Sequence, residues 1–326
     1  MAATFPVVSP FNTNPSYSGA FIPTLWSSKL NAKFYKATVF GEIANTNWEG
    51  EIKGMGDKIT INNIPTLTIN SYSAGTSLTY EVPTPSTLTL SIDKGKYFAF
   101  QVNDVLAYQS QIKLMDTFSN DASMQMKISI DSTVLYNTFS GAAAANKGAT
   151  AGAQSGGYNL GTDTAPITLA ANNVLSVITS MAAVLDEQNV PETDRWLLID
   201  PATRQLLMQS NLAQAQFMGD STSILRNGRI GQIDRFTVYV SNNLPRGAAA
   251  KTWASGDGTE GNATGTSEVK RRALIAGHKS AITFASQMTK METVRNQNDF
   301  GDFVRGLNVF GYAVSKDTAL TFAVVA

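Results

Sequence analysis

The sequence predicts an α+β fold, and three observations carry that reading. Residues 57–92 alternate apolar and polar side chains with period two, residues 104–137 repeat apolar positions every three or four, and the chain from 171 onward alternates helix and strand signals. The composition suits a folded chain: 43% of the 326 residues are hydrophobic and only 15% charged, which excludes wholesale disorder.

Residues 1–28 are rich in Pro, Ser, Asn and aromatics and follow neither period, so they read as an arm, with a short helical stretch at 29–40. An arm cannot bury Phe5, Phe11, Tyr17, Phe21 and Trp26 by itself; these aromatics are expected to lie against another surface, such as a second subunit. Beyond it, Ile59 and Ile61, Leu67 and Ile69, Leu78 and Tyr80, and then Leu88, Leu90 and Ile92 mark extended limbs. Residues 70–75 are the expected tip, and Pro65, Pro83 and Pro85 confine their positions to edges or bends. A two-stranded hairpin is marginal in water, so this one needs cover from a neighbouring element or a neighbouring molecule.

Asn103 or Asp104 then caps a helical run through Val105, Tyr108, Ile112, Met115, Phe118, Ala122, Met126, Ile130 and Val134. A helix over about 104–137 would be roughly 50 Å long, enough for a strut. Residues 140–165 are Gly-, Ala- and Ser/Thr-rich and read as a flexible or loosely packed connection. There follow a helix at 171–185, a buried strand at 196–199, a helix opened by Pro201 and a strand at 236–240. After a second low-complexity stretch at 246–268, further strands are expected at 272–276, 281–286, 291–295, 304–310 and 320–325.

Charge and composition exclude several functions. With 25 basic against 25 acidic side chains there is no overall drive toward nucleic acid or an anionic membrane. No cysteine means no disulfide framework, thiolate nucleophile, iron–sulfur centre or zinc ribbon, and His278 alone makes no multi-histidine metal site. The first charged residue is Lys29, so the basic start of a secretory signal is not found, and the apolar run 319–326 is far shorter than a membrane helix of roughly 18 residues. A soluble product with no cofactor is expected.

The motifs that suggest chemistry each have a simpler reading. Residues 256–261 match a dinucleotide-binding glycine spacing, but no helix pattern follows and Asp257 and Glu260 would repel phosphate. Asp299-Phe300-Gly301 imitates a kinase tripeptide without the preceding motifs, and reads as a turn between strands. Lys270-Arg271-Arg272 reads as a solvated or subunit-facing patch. His278 and Ser280 could form a base and nucleophile, yet linear sequence supplies neither orienting carboxylate nor oxyanion site. Glu42, Glu49, Glu51, Asp186, Glu187 and Glu192 read as surface and ion-pair groups. No catalytic, cofactor-binding or metal-binding residue is assigned. Lys53, Asp57, Lys58 and Glu81, which mix both signs along the hairpin, are expected to set register with an adjacent chain.

The order of arm, long hairpin, strut helix, Gly/Ala connection, α/β portion and terminal strands resembles a tailed-bacteriophage major capsid protein. Four stretches carry the resemblance. Phe40-Gly41-Glu42-Ile43-Ala44-Asn45, with residues 48–52 and 56–61, is similar to the segment leading into that family's E-loop. Residues 93–104 resemble its return strand, residues 185–191 with Arg195-Trp196-Leu197-Leu198-Ile199-Asp200-Pro201 a helix-to-strand passage of its A-domain, and residues 301–311 its last P-domain strands. The resemblance implies a Johnson-type (Hong Kong phage capsid) fold: N-arm at 1–40, E-loop at 41–96, P-domain at 97–170 and 281–326 with its spine helix near 104–137, and A-domain at 171–280.

It further implies a non-enzymatic shell protein, self-assembling into hexamers and pentamers around double-stranded DNA in the bacterial host cytoplasm. A scaffolding protein and a portal are implied, a decoration protein is possible, DNA is met only by enclosure and weak contact, and no membrane is involved. Inter-subunit contacts are expected at Tyr72, Leu78, Tyr80, Glu81, Lys53 and Lys58 of the E-loop and at Phe11, Tyr17, Phe21 and Trp26 of the arm. Some members join an E-loop lysine to a neighbour's asparagine; that motif is not matched residue by residue here. A nanocompartment shell protein of the same fold family and a hydrolase built on His278 and Ser280 remain as alternatives.

Overall fold

The computed structural model describes residues 35–36, 38–48, 58–65, 67–75, 77–104, 114–210, 231–248, 253–255, 270–296 and 299–326. The chain divides into Met1–Lys33 and Phe34–Ala326, and all described residues belong to the second unit.

A single turn of helix, α1 (Phe40–Ile43), precedes the hairpin. The period-two stretch then forms two short strands and not one long ladder: β1 (Lys58–Asn63) pairs antiparallel with β2 (Ser86–Ser91), Lys58 opposite Ser91 and Asn63 opposite Ser86. Between them the described residues belong to no strand, and a turn at residues 74–75 with Gly75 at φ 93 marks the tip, a conformation open to glycine because it lacks a Cβ. The prolines at 65, 83 and 85, which cannot donate to a ladder, sit in this unladdered part.

β3 (Lys94–Asn103) returns along β11 (Gly301–Val314), which also pairs with β10 (Ile282–Arg295), giving a three-stranded antiparallel sheet with β11 at its centre. The expected strands at 281–286 and 291–295 are one strand, carried through by an irregularity in register between Ser286 and Met288. The long helix is described as α2 (Leu114–Thr138), about 37 Å at 1.5 Å per residue; residues 105–113 of the expected span lie outside the described residues. Its apolar repeat turns Ile130, Val134 and Leu135 into the core, while Phe118 meets Phe100 of β3 edge-on at 6.0 Å.

The α/β portion forms a seven-stranded sheet. β4 (Arg195–Ile199) is buried along its whole length, as its unbroken apolar run requires, and lies parallel to β6 (Phe236–Val240) and antiparallel to β9 (Lys270–His278). β5 (Gln232–Ile233) extends beyond β6, while β7 (Arg246–Ala248) with β8 (Trp253–Ala254) continues beside β9. α3 (Val174–Glu187) buries Val177, Ile178 and Met181. α4 (Pro201–Gln209) starts as its sequence predicts: Asp200 accepts from the Thr203 and Ala202 N–H groups at 3.1 and 3.3 Å, with Pro201 in the first turn.

Three expectations are corrected by packing. β12 (Leu320–Val325), grouped by sequence with the long helix, pairs antiparallel with β9 in the seven-stranded sheet. Residues 140–165 are tied down and not loose. Ala142, Ala151 and Leu160 are buried, the Asn146 amide donates to the Thr318 and Leu320 carbonyls at 2.7 and 3.0 Å, and Thr321 donates to the Asn146 carbonyl at 2.7 Å. Small residues permit this close approach: a Cβ on Gly161 would strike the Val324 carbonyl. Glu187 closes the same segment, accepting from the Gln154 N–H at 2.8 Å and the Ser155 N–H at 3.2 Å; these donors, Gln154 first, hold its carboxyl below the usual range.

The third concerns Arg271 and Arg272 of the basic run, which are not solvated. Arg271 is buried, lies over the Trp253 ring at 4.7 Å and donates to the Asp163 carbonyl at 2.7 Å, while Arg272 is paired with the helix-capping Asp200.

Candidate functional site

The root of the hairpin is set by one buried carboxylate. Asp131 of α2 accepts from the Val39 and Phe40 N–H groups at 3.0 and 2.8 Å, satisfying donors that the first turn of α1 leaves unpaired, and from the Asn243 amide at 2.7 Å. Asn45 then pairs with Thr283, its N–H donating to the Ile282 carbonyl at 2.8 Å. On the return side, Leu90 and Ile92 are buried against Ala285 and Val309, and a Cβ on Gly311 would collide with the Ser91 carbonyl. The base of the hairpin is thus part of the subunit's own core.

The outer part is not. Ile64, Ile69, Tyr72, Leu78, Tyr80 and Val82 all face solvent, with Ile69 at 92% and Tyr80 at 90% exposure. These large apolar side chains lie on the unladdered segment between β1 and β2, and isolated soluble subunits rarely leave so large an apolar patch uncovered. One internal tie spans the ribbon: the Thr68 N–H donates to Glu81 Oε2 at 3.0 Å.

The residues expected at contacts fall into three groups. Tyr72, Leu78 and Tyr80 lie together on the exposed ribbon, with Lys58 exposed near its base. Glu81 is also exposed, but its carboxylate engages its own ribbon. Lys53, Phe11, Tyr17, Phe21 and Trp26 lie outside the described residues. Sequence reasoning passed over two further features. Asp131 sits beside Ile130 in a helical register otherwise apolar, which is the signal that could have found it. The other is the open face of the three-stranded sheet, where Tyr97, Leu307 and Lys290 lie opposite one another, next to the row of Ala99, Arg305 and Glu292. These rows line a groove of about 510 Å³.

The hydrolase candidates form a turn. His278 Nδ1 accepts from the Ser280 N–H at 3.1 Å and lies 2.8 Å from its hydroxyl, so Nδ1 is committed as an acceptor at the β9–β10 corner. Among the described residues no group of three His, Cys, Asp or Glu side chains is placed to hold a metal, and no helix is long and apolar enough to cross a membrane. Asp186 pairs with buried Arg195 at 2.7 Å, and Arg235 bridges Asp186 and Glu192, so these carboxylates are ion-pair groups.

Burial, chiefly, pushes the His278 imidazole below its ordinary value; Lys316 and Arg195 add to this and Asp194 opposes it. The folded state therefore disfavours the charged ring. The stabilisation from this site is complete above the unfolded value of about 6.5 and is lost as the pH falls below it toward the folded value. In a proton NMR titration of the chain's single histidine, the midpoint is expected below 6.5, and a midpoint at or above that value would contradict the account.

A hairpin rooted in a three-stranded sheet, one long helix behind that sheet and a larger mixed α/β sheet beside it together make a bacteriophage capsid fold. The structure of Mycobacterium phage Che8 matches with a TM-score of 0.72 and 23% identity, over 93% of this chain and 96% of that one. The cyanophage P-SCSP1u capsid matches at 0.67 and 17%, covering 94% and 93%, and the Ralstonia phage GP4 capsid at 0.61 and 12%, covering 99% and 97%. No curated protein matches the chain. The phage capsid protein family matches residues 85–323, and the chain belongs to that family. It is a structural protein of the phage shell.

Proposed function

We propose that this chain is the repeating subunit of an icosahedral shell, closing as hexamers and pentamers around packaged double-stranded DNA. In this reading residues 41–96 are the E-loop, α2 is the spine helix of a P-domain spanning 97–170 and 281–326 whose last strand, β12, crosses to pair with β9 in the sheet of the A-domain at 171–280, and residues 1–40 form an N-arm whose aromatics reach a neighbour. Assembly takes place in the host cytoplasm with a scaffolding protein and a portal. The observation that carries this is the ribbon at residues 64–82, whose large apolar side chains Ile64, Ile69, Tyr72, Leu78, Tyr80 and Val82 are exposed. Burying a single such side chain contributes about 1.5–3 kcal/mol, so a contact repeated by every copy is ample to drive closure.

Sizing the purified protein under assembly conditions and imaging the product by electron microscopy tests the proposal. Closed icosahedral particles are expected; a monomer that persists at every concentration and salt condition would refute it.

A further inference from the structure

The described residues that flank the turn between β10 and β11, Arg295, Asn296 and residues 299–302, are tied by several polar contacts. Arg295 pairs with Asp104 and, at 3.2 Å, with Asp302; Gln101 donates to Asp299 at 3.3 Å; and the Asn296 N–H donates to the Gly301 carbonyl at 2.9 Å. Two more bonds fix Phe300 itself: its N–H donates to Asp299 Oδ1 at 2.8 Å, and its carbonyl accepts from the Asp104 N–H at 3.3 Å. All this order serves to hold out a phenylalanine that is 74% exposed. A fixed, protruding aromatic ringed by charge is the form of an anchor residue at a protein contact, because the ordering cost of binding is already met.

The groove on the open sheet face has the matching form. Its floor is apolar, with Tyr97, Ala99 and Leu307, and Tyr97 is 79% exposed. Its charged residues are Lys290 and Arg305 around Glu292, two cations against one carboxylate, or one net positive charge. The tip carries Asp104, Asp299 and Asp302 around Arg295, three carboxylates against one cation, or two net negative charges. Knob and groove are complementary in both polarity and charge.

We propose that Phe300 of one copy docks into the Tyr97–Leu307 groove of a second copy. Tip and groove are different surfaces of the same chain, so the contact is head-to-tail, and such contacts close into rings when the rotation between copies is right. This rests on the self-associating shell subunit proposed above, and adds a contact separate from the ribbon.

The absence of cysteine permits a direct test. Phe300→Cys and Tyr97→Cys are made separately, mixed in equal amounts with excess unmodified protein, assembled and oxidised. A disulfide-linked dimer is expected from the mixture, and none from either variant alone. Phe300→Ala should leave the melting temperature of the unassembled subunit unchanged while raising the concentration needed for assembly by about tenfold or more, the effect of losing an anchor residue. Shells that form normally but give no such dimer overturn the docking and leave the shell function standing. A dimer between Tyr97→Cys and Tyr80→Cys in its place would give the groove to the ribbon and equally overturn it.

Discussion

Replacing Tyr80 by Asp yields a folded, soluble subunit that makes no shells. The side chain is 90% exposed, so nothing in the subunit's own core depends on it, and thermal midpoint and circular dichroism should match the parent. In the proposed assembly a neighbouring copy covers the same position. A carboxylate there forfeits the aromatic burial and must be desolvated, a combined loss of roughly 3–5 kcal/mol per contact. At about 1.4 kcal/mol per decade, the concentration needed for assembly rises by at least a hundredfold, beyond ordinary working conditions. Leu78→Asp should behave alike, and Tyr80→Phe should assemble. Light scattering and electron microscopy report the result, and normal particles from both Asp variants would remove the ribbon from the contact.

The second large effect is on the subunit. Asp131→Ala leaves the buried Val39 N–H and Asn243 amide and the partly buried Phe40 N–H without their acceptor. Each unsatisfied buried donor costs about 1–3 kcal/mol, so a loss of roughly 3–5 kcal/mol is expected after relaxation. For a chain of this size that is a fall in melting temperature of roughly 4–8 °C. Asp131→Asn separates geometry from charge. Its carbonyl still accepts from residues 39 and 40, and Asn243 need only flip its amide to restore the third bond, so most of the stability should return. Hydrogen exchange at residues 39–45 should quicken in the Ala variant first, since α1 loses its cap. An Ala variant as stable as the parent would show that the root of the hairpin is held elsewhere.

Elements with a local cause were readable from sequence. Asp200-Pro201 opens α4 because cap and ring geometry lie within four residues, and the apolar run around Trp196 could only be a strand buried on both faces. The 3.6-residue repeat located α2 for the same reason. Arg271 was misread because a basic run looks solvated until the distant Trp253 ring and Asp163 carbonyl come against it. Residues 140–165 look loose because small side chains carry no period, yet smallness is what lets them lie against β12. The exposed ribbon positions were legible, since a hairpin that long cannot shelter its own apolar residues; the groove was not, because β3 lies some two hundred residues of chain before the β10–β11 pair that it joins.

The amino-acid order alone settled the class of fold, the register of its longest helix, the caps and buried strands, and the presence of a projecting apolar hairpin. Each of these follows from side-chain periodicity and from contacts a few residues apart. Only the folded chain decided that β12 joins β9, that Asp131 caps the root of the hairpin, and that Tyr97 and Phe300 stand exposed. These depend on segments far apart in sequence sharing one place, where burial and unpaired donors and acceptors select a partner that no local pattern names.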